Sequence, residues 1–255
     1  MIRIKCYPFS IIIMVIEIIE ISLWFIAVII CFLIAFVFFL ESMKREIVSK
    51  AFFRGLSIFA LLYGIARLIE NIRRYFIGNY NDIFEAWIIG SQITGLNFTL
   101  RLFYYIIAWI GISIMYYNIE RHIFTKNKYI LTLFSIIEAL VSIINYLFFN
   151  SITFWLAVII YFIPAYFLPL LFLFAAKKTP SKYLRNGCIL NGIGIFLLAT
   201  AVAMDLPEAA YFFYSLGINT PELIIRIIAP IFLILGMIIF TLGIKTQFLR
   251  KEVSE

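Results

Sequence analysis

Arg67, Arg101 and Arg226 each stand between apolar neighbours, in stretches that offer water little to solvate. A guanidinium in the middle of a membrane span costs about 2.5–3.5 kcal/mol on the insertion scale, so it faces a partner, water or a bundle interior rather than lipid. Its planar fork of N–H donors matches carboxylates and phosphates. Glu70, Glu138, Asp205 and Glu222 are the carboxylates placed to meet these arginines. Tyr63, Arg67, Glu70, Asn71 and Arg74 recur at intervals of one, three or four residues, which puts them on one helix face. Asn97, Arg101 and Tyr105 share a second face, with Tyr104 beside them. Thr132, Ser135, Glu138, Ser142 and Asn145 form a third stripe, and Glu222 and Arg226 are four apart in the order that favours an ion pair. Such a set serves one of two ends. It lines an outward-opening, water-accessible pocket for a polar or anionic ligand, or it supplies interhelical ion pairs that fix packing, since buried charges need partners in any case.

The elements that position these residues follow from composition. Of the 255 residues, 64% are hydrophobic and only 14% charged, and the mean hydropathy is +1.05. Soluble domains carry about 25% charged residues, so lipid is the solvent here. Stretches of the required length, about 20 residues, occur near 18–40, 53–75, 97–118, 129–149, 152–175, 184–206 and 222–245. The expected fold is therefore an all-α, seven-helix membrane bundle forming one domain. Residues 10–17 read as a surface extension of the first helix, which is retained rather than cleaved. Glu17 and Glu20 read as solvated at the interface. The long connection at 76–96 reads as an interfacial segment. Pro221 suits a first helical position, while Pro164, Pro169 and Pro230 can kink their helices.

Basic residues set the expected orientation. Fourteen of the 21 Lys and Arg flank one face, at Lys44–Arg54, Arg121–Lys128, Lys177–Arg185 and Lys245–Lys251. Four flank the other, namely Arg3, Lys5, Arg73 and Arg74. Basic loops stay in the cytoplasm, so the N-terminus is expected outside and the C-terminus inside, in a multi-pass protein of the cell membrane. The same rule accounts for the net charge of +7 without nucleic acid.

Residue supply excludes several chemistries. The last helix has no central lysine for a retinal Schiff base; its only lysine is Lys245. One histidine, His122, cannot supply a zinc hydrolase or a pair of haem ligands. Asp82 and Asp205 lack the setting of an intramembrane aspartyl protease, and no glycine-rich phosphate loop occurs. Cys6, Cys31 and Cys188 are scattered and imply neither a disulfide framework nor a metal site. The expectation is a protein that is not an enzyme, with no cofactor and no metal.

Glu120-Arg121-His122 at the end of the third helix resembles the acid-Arg-Tyr motif of G-protein-coupled receptors, although the accompanying N-P-x-x-Y and Trp-x-Pro patterns are missing. It also reads as a helix-end acid and base at the cytoplasmic surface. Over most of its length the chain resembles the seven-helix sensor modules found ahead of histidine kinases, and their stand-alone relatives. The residues that carry this are Arg67, Ile119-Glu120-Arg121 leading to Lys126-Asn127-Lys128-Tyr129-Ile130, and Leu184-Arg185-Asn186-Gly187. The resemblance implies a sensor. Its ligand would be small and polar, anionic or a lipid headgroup, and its output would pass to a separate cytoplasmic signalling protein. A seven-helix solute transporter and a structural subunit of a membrane complex are the alternatives.

Overall fold

The computed structural model describes residues 7–77, 95–127, 129–148, 151–205 and 221–248. Among them are seven α-helices: α1 Tyr7–Met43, α2 Ile47–Ile72, α3 Gly95–His122, α4 Ile130–Phe148, α5 Ser151–Lys178, α6 Lys182–Asp205 and α7 Pro221–Phe248. A π-turn, Arg73–Ile77, continues α2. Helices are the form in which a chain in lipid satisfies its own backbone. Six of them, all but the shorter α4, are long and apolar enough to cross a bilayer, which makes this a multi-pass membrane protein. Large side chains such as Leu33, Phe36, Leu170 and Phe174 lie exposed on the outside of the bundle, where lipid solvates them.

Each helix packs against its neighbours in sequence, and α1 packs against α7, so the seven close into a ring. The closure is fastened at the end that carries Lys245. The Phe248 ring stacks on Phe52 at 5.0 Å and meets Phe53 edge-on at 5.5 Å. Arg45 donates to the Phe248 carbonyl at 3.3 Å.

α1 departs from expectation. It is one uninterrupted helix of 37 residues, long enough for the expected extension beyond the span, but Glu20 on it is not solvated. At 1.5 Å per residue it is roughly 55 Å long, well beyond a hydrocarbon core of about 30 Å. Glu20 does not end the span at an interface. It is 1% exposed and accepts a hydrogen bond from Tyr75 at 3.0 Å. Pro221 does open α7 as its first residue. The segment expected at 76–96 falls, apart from its ends, outside the described residues.

α6 and α7 form the closest pair. Gly187 and Gly194 on α6, and Gly236 and Gly243 on α7, are each seven apart, the repeat that keeps one seam facing a partner helix. A Cβ added to Gly194 would stand 2.5 Å from the Phe240 backbone nitrogen. One added to Gly236 would stand 2.9 Å from the Gly194 carbonyl. The two backbones therefore touch, as small residues permit in membranes.

Glu120 is not the surface acid that its position suggests. It is 1% exposed and caps α4 from α3. The Leu131 and Thr132 N–H groups donate to its two carboxylate oxygens at 2.8 and 2.9 Å, and the Thr132 hydroxyl donates at 2.6 Å. These amides belong to the first turn of α4, which has no partners within its own helix. Replacing Glu120 with alanine is expected to destabilise the protein by about 1–2 kcal/mol, the worth of a lost cap. Glutamine should recover part of that. A thermal unfolding midpoint unchanged in Glu120→Ala would refute the capping role. Next to this cap Tyr129 adopts φ 63°, a left-handed conformation that costs a side chain roughly 1–2 kcal/mol.

Candidate functional site

The last turn of α2 and the π-turn after it gather charged groups from four helices. Glu70 sits three and four residues before Arg73 and Arg74, so one face of the helix carries all three. Arg73, 0% exposed, grips Glu70 with two parallel bonds, Nε to Oε2 at 2.8 Å and Nη2 to Oε1 at 2.6 Å. Its third nitrogen donates to Asn97 of α3 at 2.8 Å. Arg74 donates to Glu70 Oε1 at 3.3 Å and to Asp205 Oδ1, the end of α6, at 3.0 Å. Tyr75 turns to Glu20 of α1. The π-turn thus aims three consecutive side chains at three different helices, a use typical of such turns.

Arg67 lies one turn deeper and is 1% exposed. Its Nη1 donates to Asp205 Oδ2, and its Nε and Nη2 donate to the Tyr63 hydroxyl at 3.2 and 2.9 Å. The rings of Trp24, Tyr63 and Tyr104 surround the guanidinium, with centroids at 4.7, 5.3 and 5.2 Å. Aromatic faces attract a desolvated cation, and a charge in this setting gains from each. α2 and α6 are not neighbours in the ring, so the bonds from Arg67 and Arg74 to Asp205 cross the bundle interior.

Of the residues singled out in the sequence, Arg67, Glu70 and Asp205 therefore meet. Arg101 is buried beside them, with its guanidinium 5.8 Å from the Tyr105 ring and close enough to Glu70 to act on it electrostatically. Glu138 is also buried, and the Ser142 hydroxyl donates to its Oε1 at 2.9 Å. Nearer the basic end, the α4 stripe that carries Glu138 faces α3, where the Ser135 and Ser113 hydroxyls are hydrogen-bonded at 3.0 Å. The side chains of Glu222 and Arg226 lie outside the described residues.

Trp24, Glu20 and Arg73 belong to the network without having been singled out for it. The sequence does hold signals for them. Trp24 follows Glu20 by four residues, and Arg73 and Arg74 follow Glu70 by three and four. Arg74 turns to the polar face expected of it, whereas Arg73, expected only as an interfacial charge, joins it as a partner of the buried carboxylate of Glu70. Deeper in the bundle a cavity of about 40 Å³ adjoins Tyr63, lined also by Trp109, Tyr116 and Tyr161. It is roomy enough for one water, with phenol groups to bind it.

The arrangement is suited to exchanging anions. Each of two carboxylates is held by two arginines, and a carboxylate or phosphate of a ligand presents the same oxygen pair. Comparison with known proteins finds no matching family model, no similar curated protein and no similar solved structure.

Proposed function

We propose that this protein is a receptor-like membrane sensor of seven spans, α4 being the seventh, with its N-terminus outside and its C-terminus in the cytoplasm. The basic residues support that orientation. With Arg73 and Arg74 taken up in the network, only Arg3 and Lys5 remain to oppose the fourteen on the other face. The site lies at the outer end of α2 and takes a small anionic group, a carboxylate or a phosphate, free or on a lipid. The observation that carries the reading is the attachment of Asp205 to both Arg67 and Arg74.

An anion that binds these arginines in place of Asp205 frees the outer end of α6. α6 is seated on α7 backbone to backbone, so the two move together. The far end of α7 is Phe248, held between Phe52 and Phe53. A change outside is thereby read at the cytoplasmic end, for a separate signalling protein. The ligand acts only by its difference in affinity for the two states.

Removing the Asp205 charge should imitate the ligand. With spin labels at Lys50 and Thr246 in bilayer discs, Asp205→Asn is expected to lengthen or broaden the distance distribution relative to the parent. Glycerol 3-phosphate should do the same to the parent and nothing to Arg67→Gln. Unchanged distances in Asp205→Asn would defeat the relay. They would favour the structural-subunit reading, which draws on the same matched ion pairs.

A further inference from the structure

A second site lies on the lipid-facing side of α3 and α4, apart from the arginine network. The two helices leave a groove of about 370 Å³ between them, walled by Ile106, Ile110, Ile136 and Leu140 and floored by Ser113 and Ala139. The floor residues are small, which is why the groove exists. The Ser135 hydroxyl donates to the Thr132 carbonyl at 2.9 Å, which leaves Ser113 to donate to Ser135 at 3.0 Å, so the floor makes no polar demand on an occupant. Along α3 the groove runs from Ile106 to Tyr117, which is roughly 16 Å at 1.5 Å per residue, the reach of most of one acyl chain.

The mouth at the basic end is built differently from the walls. Tyr117 lines it, and Tyr129 stacks on Tyr117 at 5.4 Å with the rings 18° from parallel. Tyr129 holds this position in the left-handed backbone conformation described above, and strain of that kind gathers at ligand clamps. Arg121 donates to the Tyr117 hydroxyl at 3.0 Å and lies over that ring at 5.8 Å. It is exposed, and no carboxylate pairs with it among the described residues. Four of its five N–H donors have no protein partner among the described residues.

We propose that this groove binds one anionic phospholipid, its acyl chain lying along α3 and α4 and its phosphate on Arg121 under the Tyr117–Tyr129 pair. The apolar walls would take any chain, and the arginine selects the charge. Lys178, also exposed at this end, has among the described residues only the Phe174 ring beneath it at 4.4 Å, so it serves as the control.

Native mass spectrometry of the full chain, released from detergent with equal amounts of phosphatidylglycerol and phosphatidylcholine of identical acyl chains, tests this. The parent is expected to retain one phosphatidylglycerol. Arg121→Gln should lower that retention about fivefold, the worth of roughly 1 kcal/mol, to the level of phosphatidylcholine. Ala139→Phe, which fills the floor, should lower retention of both lipids. Ile110→Trp closes the rim from its exposed side and gives the same reading should Ala139→Phe not fold. Lys178→Gln and added glycerol 3-phosphate should change nothing. Equal retention of the two lipids by the parent, an undiminished Arg121→Gln, or an equal loss in Lys178→Gln would each overturn the site. Displacement by glycerol 3-phosphate would overturn it too, in favour of a soluble phosphate.

Discussion

Replacing Asp205 with alanine is expected to destabilise the protein by about 3–5 kcal/mol, the usual cost of stranding a buried charge. Two guanidinium groups lose their carboxylate at once. Arg74 keeps Glu70, but Arg67 keeps only the Tyr63 hydroxyl and three aromatic faces, deep in the bundle. The loss should therefore be felt mostly through Arg67. Removing that charge as well, in Arg67→Met with Asp205→Leu, should return much of the stability, because a buried pair and a packed apolar pair of similar volume differ little. Steric trapping in bilayer discs, or titration with a denaturing detergent, measures both variants. A single variant that costs less than about 1 kcal/mol, the worth of an exposed pair, would mean that the pair does not hold α6 to α2.

The second large effect is expected at the seam of α6 and α7. Gly194→Ala places a methyl group 2.5 Å from the Phe240 nitrogen and 2.8 Å from its Cα. Neither atom belongs to a side chain that can swing away, so the two helices must part. A cost of about 1–3 kcal/mol follows from overpacking alone, and more as the rest of the seam loosens. Gly64→Ala is the contrast. Its nearest neighbours are the Cys31 Cβ and the Phe32 ring, both at 3.1 Å, so a shift of a few tenths of an ångström accommodates the methyl group. Gly194→Ala should thus lower the unfolding midpoint well below that of Gly64→Ala. Equal midpoints would show that the backbones of α6 and α7 do not touch.

The fold is legible in the sequence wherever one helix can be read alone. Apolar stretches near 53–75 and 184–206 are α2 and α6, with ends displaced by a few residues. α1 misleads because Glu17 and Glu20 look like a boundary until Tyr75, 55 residues on, is known to cover Glu20. The inward direction of Arg67 follows from the cost of a guanidinium in lipid. Its choice of Asp205 does not, since the two are 138 residues apart and meet only because the ring closes. The polar stripe of α4 shows by its spacing that one face turns inward, but only the order of helices shows that this face lies against α3. Arg73 and Arg74 stand at the end of an apolar run, which suggests an interface, whereas their spacing from Glu70 is the better guide. The glycine seam is visible in the seven-residue intervals and carries no chemistry to draw notice.

The bond from Arg67 to Asp205 also fixes an order of events during synthesis. α2 leaves the ribosome 138 residues ahead of its carboxylate. At translation speeds of about 5–20 residues per second the delay is on the order of ten seconds. At first the guanidinium has only Trp24 and Tyr63, both already made, to shelter it from lipid, and Tyr104 joins them before Asp205 is made. The α1–α2 hairpin must therefore assemble its aromatic enclosure early, and a nascent chain stopped before Asp205 would hold α2 in the membrane less firmly than the finished protein does.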